Sequence, residues 1–331
     1  MSVTLKEVAE RAGVSRSAVS RTFTEGASVS HKTRRKVEKA AEELGYHPNA
    51  LASSLTTGRT KLIGLISNNF HNPLFLEVFD LFTRSLQDRG LRPLLVNLTE
   101  ETDPASSVRL LRQYSVDGVI VASSTLSPEF AKAFRDARMP VVHSFGRFAS
   151  APSVHVVGID NVECGRMAAR TLLKRGYKKL AFLGGPREAT STVDRRAGFF
   201  EVLKGESEIE VSESYATAYS FDAGRHEMLR LLEGPPAEAY FCGDDVLSVG
   251  ALSAVETKGL RIPEDVGIIG LNDMEMAGWA NINLTTIRQP VRQIIDSSIE
   301  LVVAMLDEPD RYPEARLFAC EVIERGTLRP L

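Results

Sequence analysis

Cysteine is scarce: three residues in 331, at positions 164, 242 and 320, with no CxxC pair and an odd total. Neither a disulfide framework nor a structural zinc site is expected from such a set; all three read as small buried residues of a reducing, cytoplasmic protein. No stretch approaches the eighteen apolar residues that a membrane-spanning helix needs. The opening MSVTLKEVAERAG has no basic segment followed by an apolar one, so no secretory signal is expected. The motifs of phosphate-handling and hydrolytic enzymes are missing too. No GxGxxG follows the first strand pattern, and neither GxxxxGK[ST], HExxH nor a nucleophile elbow occurs. The six histidines are scattered. The expectation is a protein with no catalytic residues, no metal and no cofactor.

The length points to two or three domains, and 43% hydrophobic with 25% charged residues is the composition of a soluble globular chain. A net charge of −3 hides an asymmetry. Residues 1–60 carry ten Lys or Arg against six Asp or Glu, so the remainder is distinctly acidic. A basic head on an acidic body suits a nucleic-acid module joined to a domain that does not bind nucleic acid.

Within the head, Leu5, Val8, Ala9 and Ala12 make one apolar stripe, Thr4 with Glu7 reads as a capping box, and Gly13 supplies a helix stop. Ser15 caps a second helix, Arg16–Phe23, which turns Ala18 and Val19 inward and Arg16, Ser17, Ser20 and Arg21 outward. Ser30 caps a third, running to about Leu44. That helix buries Val37, Ala40, Ala41 and Leu44 and shows Lys32, Arg34, Arg35 and Lys36 to solvent. Two short helices about a glycine turn, braced by a third, form a helix-turn-helix. Its second helix enters a DNA major groove, where Arg16 and Arg21 suit guanine and Ser17 either base type, while Thr4 and the third helix hold phosphates. After Gly45, Tyr46-His47-Pro48 breaks the helix and Asn49 caps a segment, 50–56, too short to stand alone as a helix. On the residues alone it fits a flexible linker equally well.

The strings VTLKEVAERAGVSRSAVSRTF, VSHKTRRKVEKAAEELGYHPN and ALASSL resemble the lactose-repressor (LacI/GalR) family of bacterial regulators. The resemblance is dense over residues 3–58 and looser beyond. It implies that 50–56 is a hinge helix that folds on DNA and wedges Leu55, with Ala52 beside it, into the minor groove.

Downstream, short β-branched runs alternate with amphipathic stretches. Strands are expected at Leu62–Ser67, Pro93–Asn97, Gly118–Ala122, Pro140–His143, Val154–Ile159, Leu180–Gly184, Ala239–Cys242 and Val266–Leu271, with eight helices between and after them. This is an α/β pattern of two doubly wound parallel sheets, with ligands at the carboxyl ends of strands. LIGLIS, DGVIVASS, KKLAFLGGP, STVDRRAGF, AYFCGDD and GLRIPEDVGIIGLND resemble the effector domain of the same family, a two-lobed fold like the type I periplasmic binding proteins. The expected domains are a DNA-binding domain, 1–48, a hinge and linker, 49–60, and an effector domain, 61–331. Lobe 1 is expected over about 61–160 plus 291–320, and lobe 2 over about 161–290 plus 321–331.

The resemblance assigns the cleft Leu74 and Phe75 as an apolar platform, Ser123 and Ser124 at the close of the third strand, Arg147 in a loop that carries a polar residue before arginine, Arg195 as the ligand-clamping cation and Tyr219 as a stacking ring. For Ser123, Ser124 and Arg147 an ordinary surface or core role fits as well. Asp244 and Asn272 are the family's Asn and Asp exchanged between two sites. One guanidinium, one carboxylate, an amide and aromatic rings suit a sugar or sugar derivative, with a purine, nucleoside or organic acid as alternatives. The expectation is a regulator, a repressor by default, that binds a palindromic double-stranded operator as a homodimer under effector control. Its rivals are a solute-binding protein without regulatory role and an enzyme carrying a DNA-binding head.

Overall fold

The computed structural model describes residues 3–24, 26–48, 54, 58–98 and 103–331. The chain forms two compact units, Met1–Lys61 and Leu62–Leu331.

The first unit contains the helices α1 (Leu5–Ala12), α2 (Arg16–Thr22) and α3 (His31–Leu44). The caps decide where each begins. Thr4 and Glu7 complete the reciprocal capping box, Ser15 accepts from the Ala18 amide and Ser30 from the Thr33 amide. Gly13 and Gly45 end α1 and α3 in the left-handed region, at φ 63° and 64°, where a side chain would be strained. Val8, Ala9, Val19, Val37, Ala40 and Ala41 form the core, and Leu44 is only half-buried at its edge.

The second unit begins with β1 (Leu62–Ser67), α4 (Leu74–Asp88), β2 (Arg92–Asn97), α5 (Pro104–Gln113), β3 (Gly118–Ala122), α6 (Pro128–Asp136), β4 (Val141–Ser144) and β5 (His155–Ile159). A first crossing leads to α7 (Asn161–Lys174), β6 (Lys179–Gly184), α8 (Thr190–Leu203), β7 (Glu210–Tyr215), α9 (Phe221–Leu231), β8 (Ala239–Cys242), α10 (Asp245–Thr257), β9 (Gly267–Asn272) and β10 (Thr285–Arg288). A second crossing returns through α11 (Val291–Asp307) to β11 (Ala315–Phe318), and a third reaches β12 (Glu321–Ile323). The sheets run β11-β5-β4-β3-β1-β2 and β12-β10-β9-β8-β6-β7, parallel except for β12 against β10.

The lobes are built by burial on both sheet faces. β1, β3, β5, β8 and β9 are almost wholly buried, which fits their unbroken apolar runs. The strands not expected from sequence are β7, β10, β11 and β12. β7 reads EVSESY and lies at a sheet edge, where charge on the exposed face discourages edge pairing and also erases the apolar signal.

Two helix pairs meet backbone to backbone through reciprocal glycines. A Cβ on Gly165 of α7 would sit 2.0 Å from the Arg195 carbonyl, and one on Gly198 of α8 would sit 1.8 Å from the Val162 carbonyl. α9 and α10 repeat the device, with a Cβ on Gly250 falling 2.3 Å from the Phe221 carbonyl. The first pair sets Arg195, on α8, directly over the first turn of α7.

Candidate functional site

The DNA-reading candidates lie where the caps put them. Arg16, Ser17 and Arg21 are exposed on α2, and Ser20 is half-buried. The two arginines carry no ion pair among the described residues. Arg34 is different from the expectation of a solvent-facing side chain: it is half-buried, and its guanidinium donates to the Thr22 carbonyl at 2.8 Å, bracing the end of α2. Thr4 is exposed, but its hydroxyl is held 2.7 Å from Glu7 Oε2 by the capping box. Asn49, Ala52 and Leu55 lie outside the described residues.

In the second unit, the carboxyl ends of β5, β8 and β9 and the loop after β10 converge on a cavity of about 10 Å³. Its wall comprises Leu74, Phe75, Phe145 and Ile159, and its polar groups are Ser124, Asn161, Arg195, Asp244, Asn272 and Gln289. Phe75 and Phe145 meet edge to face at 6.0 Å. A space this small holds at most one water.

The polar groups satisfy one another. Asp244 Oδ1 caps α10 by accepting from the Val246 amide at 2.9 Å, and Oδ2 accepts from Asn72 Nδ2 and Asn272 Nδ2, both at 2.9 Å. Gln289 Nε2 donates to Asn272 Oδ1 at 2.7 Å. Arg195 Nε donates to Asn161 Oδ1 at 2.8 Å, and Nη1 to the Gly243 carbonyl. All of these side chains are buried. Burial pushes the Asp244 carboxyl up, against the pull of the Val246 amide and of Arg195. The adjacent Asp245, buried beneath the site, is driven up to about 7 by desolvation. It accepts from the Met274 amide at 2.8 Å and holds the Thr286 hydroxyl at 2.5 Å.

Polar contacts among the described residues join the lobes across this cleft. Asn72 of lobe 1 donates to Asp244 of lobe 2, Thr190 and Ser191 donate to the Ser124 carbonyl, and Arg147 pairs with Asp194 at 2.6 Å. At this cavity the lobes are closed on each other, and a ligand larger than water enters it only if they part.

The cavity therefore brings together Leu74, Phe75, Ser124, Arg195, Asp244 and Asn272. It does not bring in Ser123, Arg147 or Tyr219. Ser123 Oγ is spent beneath its own turn, donating to Asn68 just past β1 and accepting from the Thr125 and Leu126 amides. Arg147 is exposed at the rim in its pair with Asp194. Tyr219 instead lines a neighbouring groove of about 520 Å³ between the lobes, its hydroxyl 2.7 Å from Thr192 Oγ1 and 3.1 Å from Ser191 Oγ. Sequence reasoning did not single out Asn72, Phe145, Asn161 or Gln289 as site residues. The clue was positional, since each stands just beyond an apolar strand or just before a helix.

Comparison with known proteins follows the same division. Residues 4–49 match the model of the bacterial regulatory proteins, lacI family, and residues 169–328 match the periplasmic binding protein-like domain. The HTH-type transcriptional repressor PurR of Vibrio atlanticus (strain LGP32) is 31% identical over 99% of both chains. The lac repressor dimer bound to operator and the anti-inducer ONPF superposes with a TM-score of 0.88 at 25% identity, covering 99% of this chain and 100% of that one. A complex of the transcriptional regulator CelR with cellobiose gives 0.72 at 28% identity over 98% and 99% of the two chains. These relatives are regulators rather than enzymes. No helix among the described residues is long and apolar enough to cross a membrane. With a lacI-type helix-turn-helix and a two-lobed effector fold matched along nearly its whole length, this chain belongs to the lacI family of bacterial regulatory proteins and is a DNA-binding transcriptional regulator.

Proposed function

We propose that the protein is an effector-controlled repressor whose dimer reads a palindromic operator, and that the cleft between its lobes takes a sugar or sugar derivative. The observation that carries the effector reading is the buried polar ring Asn72, Asp244, Asn272 and Gln289 beside Arg195, set against the Phe75–Phe145 wall. Adjacent hydroxyls both donate and accept, so they can replace these mutual bonds one for one, while the apolar wall covers a sugar ring face. The cellobiose complex of a structurally similar regulator supports the same class.

In this reading Arg16, Ser17 and Arg21 contact base edges, Thr4 and Ser20 support the backbone register, and Asn49, Ala52 and Leu55 supply a minor-groove contact. Ligand entry replaces the interlobe bond at Asn72 and parts those at Ser124 and Arg147, so the lobe equilibrium and operator affinity are linked.

The test begins with an operator selected from random duplexes, followed by gel shifts. Arg21→Ala is expected to lose about 1–3 kcal/mol of specific binding while non-specific binding persists. Equal loss on all sequences would defeat the base-reading assignment. For the cleft, thermal shifts against sugars, nucleobases and organic acids are expected to single out a sugar, with the shift abolished by Arg195→Ala. A hit confined to nucleobases would replace the sugar by the heterocyclic alternative. A hit unaffected by Arg195→Ala would move the site elsewhere.

A further inference from the structure

The fold brings together two thiols that the sequence holds 156 residues apart. Cys164 lies near the start of α7, just past the first crossing between lobes, and Cys320 lies in the third crossing, between β11 and β12. The Cys164 thiol donates to Cys320 Sγ at 3.7 Å. Cys164 is buried while Cys320 is half-buried, so a small reagent reaches Cys320 first. That hydrogen bond also holds the Cys320 thiol below its ordinary range, while Cys164 is raised. Cys242 is fully buried and driven up to about 12 by desolvation, which makes it an inert internal reference.

We propose that Cys164 and Cys320 form a reversible oxidation site that takes a hydroperoxide and closes to a disulfide across two of the three lobe crossings. The Cys320 thiolate attacks the terminal oxygen of the hydroperoxide. The O–O bond breaks, a solvent proton is taken up by the departing oxygen, and an alcohol (or water, from hydrogen peroxide) leaves a sulfenic acid on Cys320. The Cys164 sulfur then attacks the Cys320 sulfur. The S–O bond breaks and the hydroxyl departs as water with the Cys164 proton. Two thiols lose two electrons in total and one peroxide bond gains them. Reaching the ~2.05 Å of a disulfide from 3.7 Å requires side-chain rotation and a small shift of the third crossing. The bond would tie the first crossing to the third, and so stiffen the hinge on which the lobes part. Only this consequence for the cleft rests on the effector reading above.

The experiment treats the full-length protein with hydrogen peroxide and maps thiols by non-reducing peptide mass spectrometry. A linked pair of the 164 and 320 peptides is expected, with Cys242 unmodified and the link reversed by dithiothreitol. Over-oxidation of Cys320 without the link, or a link between Cys320 residues of two chains, would overturn the proposal. C164S is expected to halt at a Cys320 sulfenic acid trapped by dimedone. C320S keeps the buried residue and is expected to leave Cys164 reduced; if C164S does not fold, C320S alone decides, because oxidation of Cys164 in it would refute the order of attack. Hydrogen exchange around residues 159–161 and 318–321 is expected to slow on oxidation, and unchanged exchange would refute the hinge constraint without touching the effector assignment.

Discussion

At the scale of single residues, a carboxylate at 244 and an amide at 272 have a structural reason. Asp244 must accept three times, from the Val246 amide and from the side chains of Asn72 and Asn272. Neither amide is free to reverse, because Asn72 Oδ1 accepts from the Leu74 amide and Asn272 Oδ1 accepts from Gln289. Asp244→Asn therefore sets three side-chain NH₂ groups against one another and is expected to lose about 2 kcal/mol, read from urea midpoints. Asn272→Asp in the same background restores an acceptor opposite residue 244. The double variant is expected to recover part of that loss, whereas simple additivity of the two changes would refute the proposed coupling. Asp245 gives a pH prediction. Its folded value of about 7 stands above the ordinary 3.8, so the folded state holds the proton more tightly than the unfolded chain. The resulting stabilisation is complete below about pH 4, falls as pH rises toward 7, and is flat above that. His143, lowered to about 4 by burial, acts in the opposite sense in the same window. Comparing wild type with Asp245→Asn across pH 4–8 cancels the histidine and should leave a difference that shifts against the wild type as pH rises.

At the scale of elements, the site depends on how closely helices approach. α7 and α8 touch through Gly165 and Gly198, and that contact holds Arg195 within 2.8 Å of Asn161. Gly165→Ala places a methyl 2.0 Å from a backbone carbonyl that no rotamer change can clear. A loss of about 3 kcal/mol is expected, with a fall in ligand-induced thermal shift beyond what stability accounts for. In the first unit, Thr4→Ala removes the capping box from α1 and is expected to lower helix stability by about 1 kcal/mol, measured by circular dichroism on melting. Most of the elements were legible from period and caps, because near-continuous apolar strands and capped amphipathic helices leave local marks. β7, β10, β11 and β12 were not, being short, polar or at sheet edges, where pairing rather than side-chain pattern makes the strand.

At the scale of the whole chain, the division at residue 61 separates a small all-helical unit from one with its own extended core. A fragment spanning 62–331 is expected to unfold in one cooperative transition by scanning calorimetry. Absence of that transition would show that the larger unit needs the smaller one. Operator affinity of the full chain is expected to fall with salt in proportion to the phosphates neutralised, at a slope of roughly −0.9 per contact. A flat salt response would remove the electrostatic role of the basic head.

The amino-acid order alone determined the helix-turn-helix, since α1, the Gly13 turn and the Ser15-capped α2 are specified by neighbours within a few residues. It also determined the alternation of strands and helices that makes two parallel sheets. Only the tertiary structure decided which polar residues share the cleft. It kept Asp244, Asn272 and Arg195, turned Ser123 into its own loop, sent Tyr219 to the adjoining groove and recruited Asn72 and Gln289. It likewise set Cys164 beside Cys320. Such partnerships join residues from 17 to 172 positions apart, those across the cleft and the thiol pair more than 150, and no local periodicity or cap records a contact made at that distance.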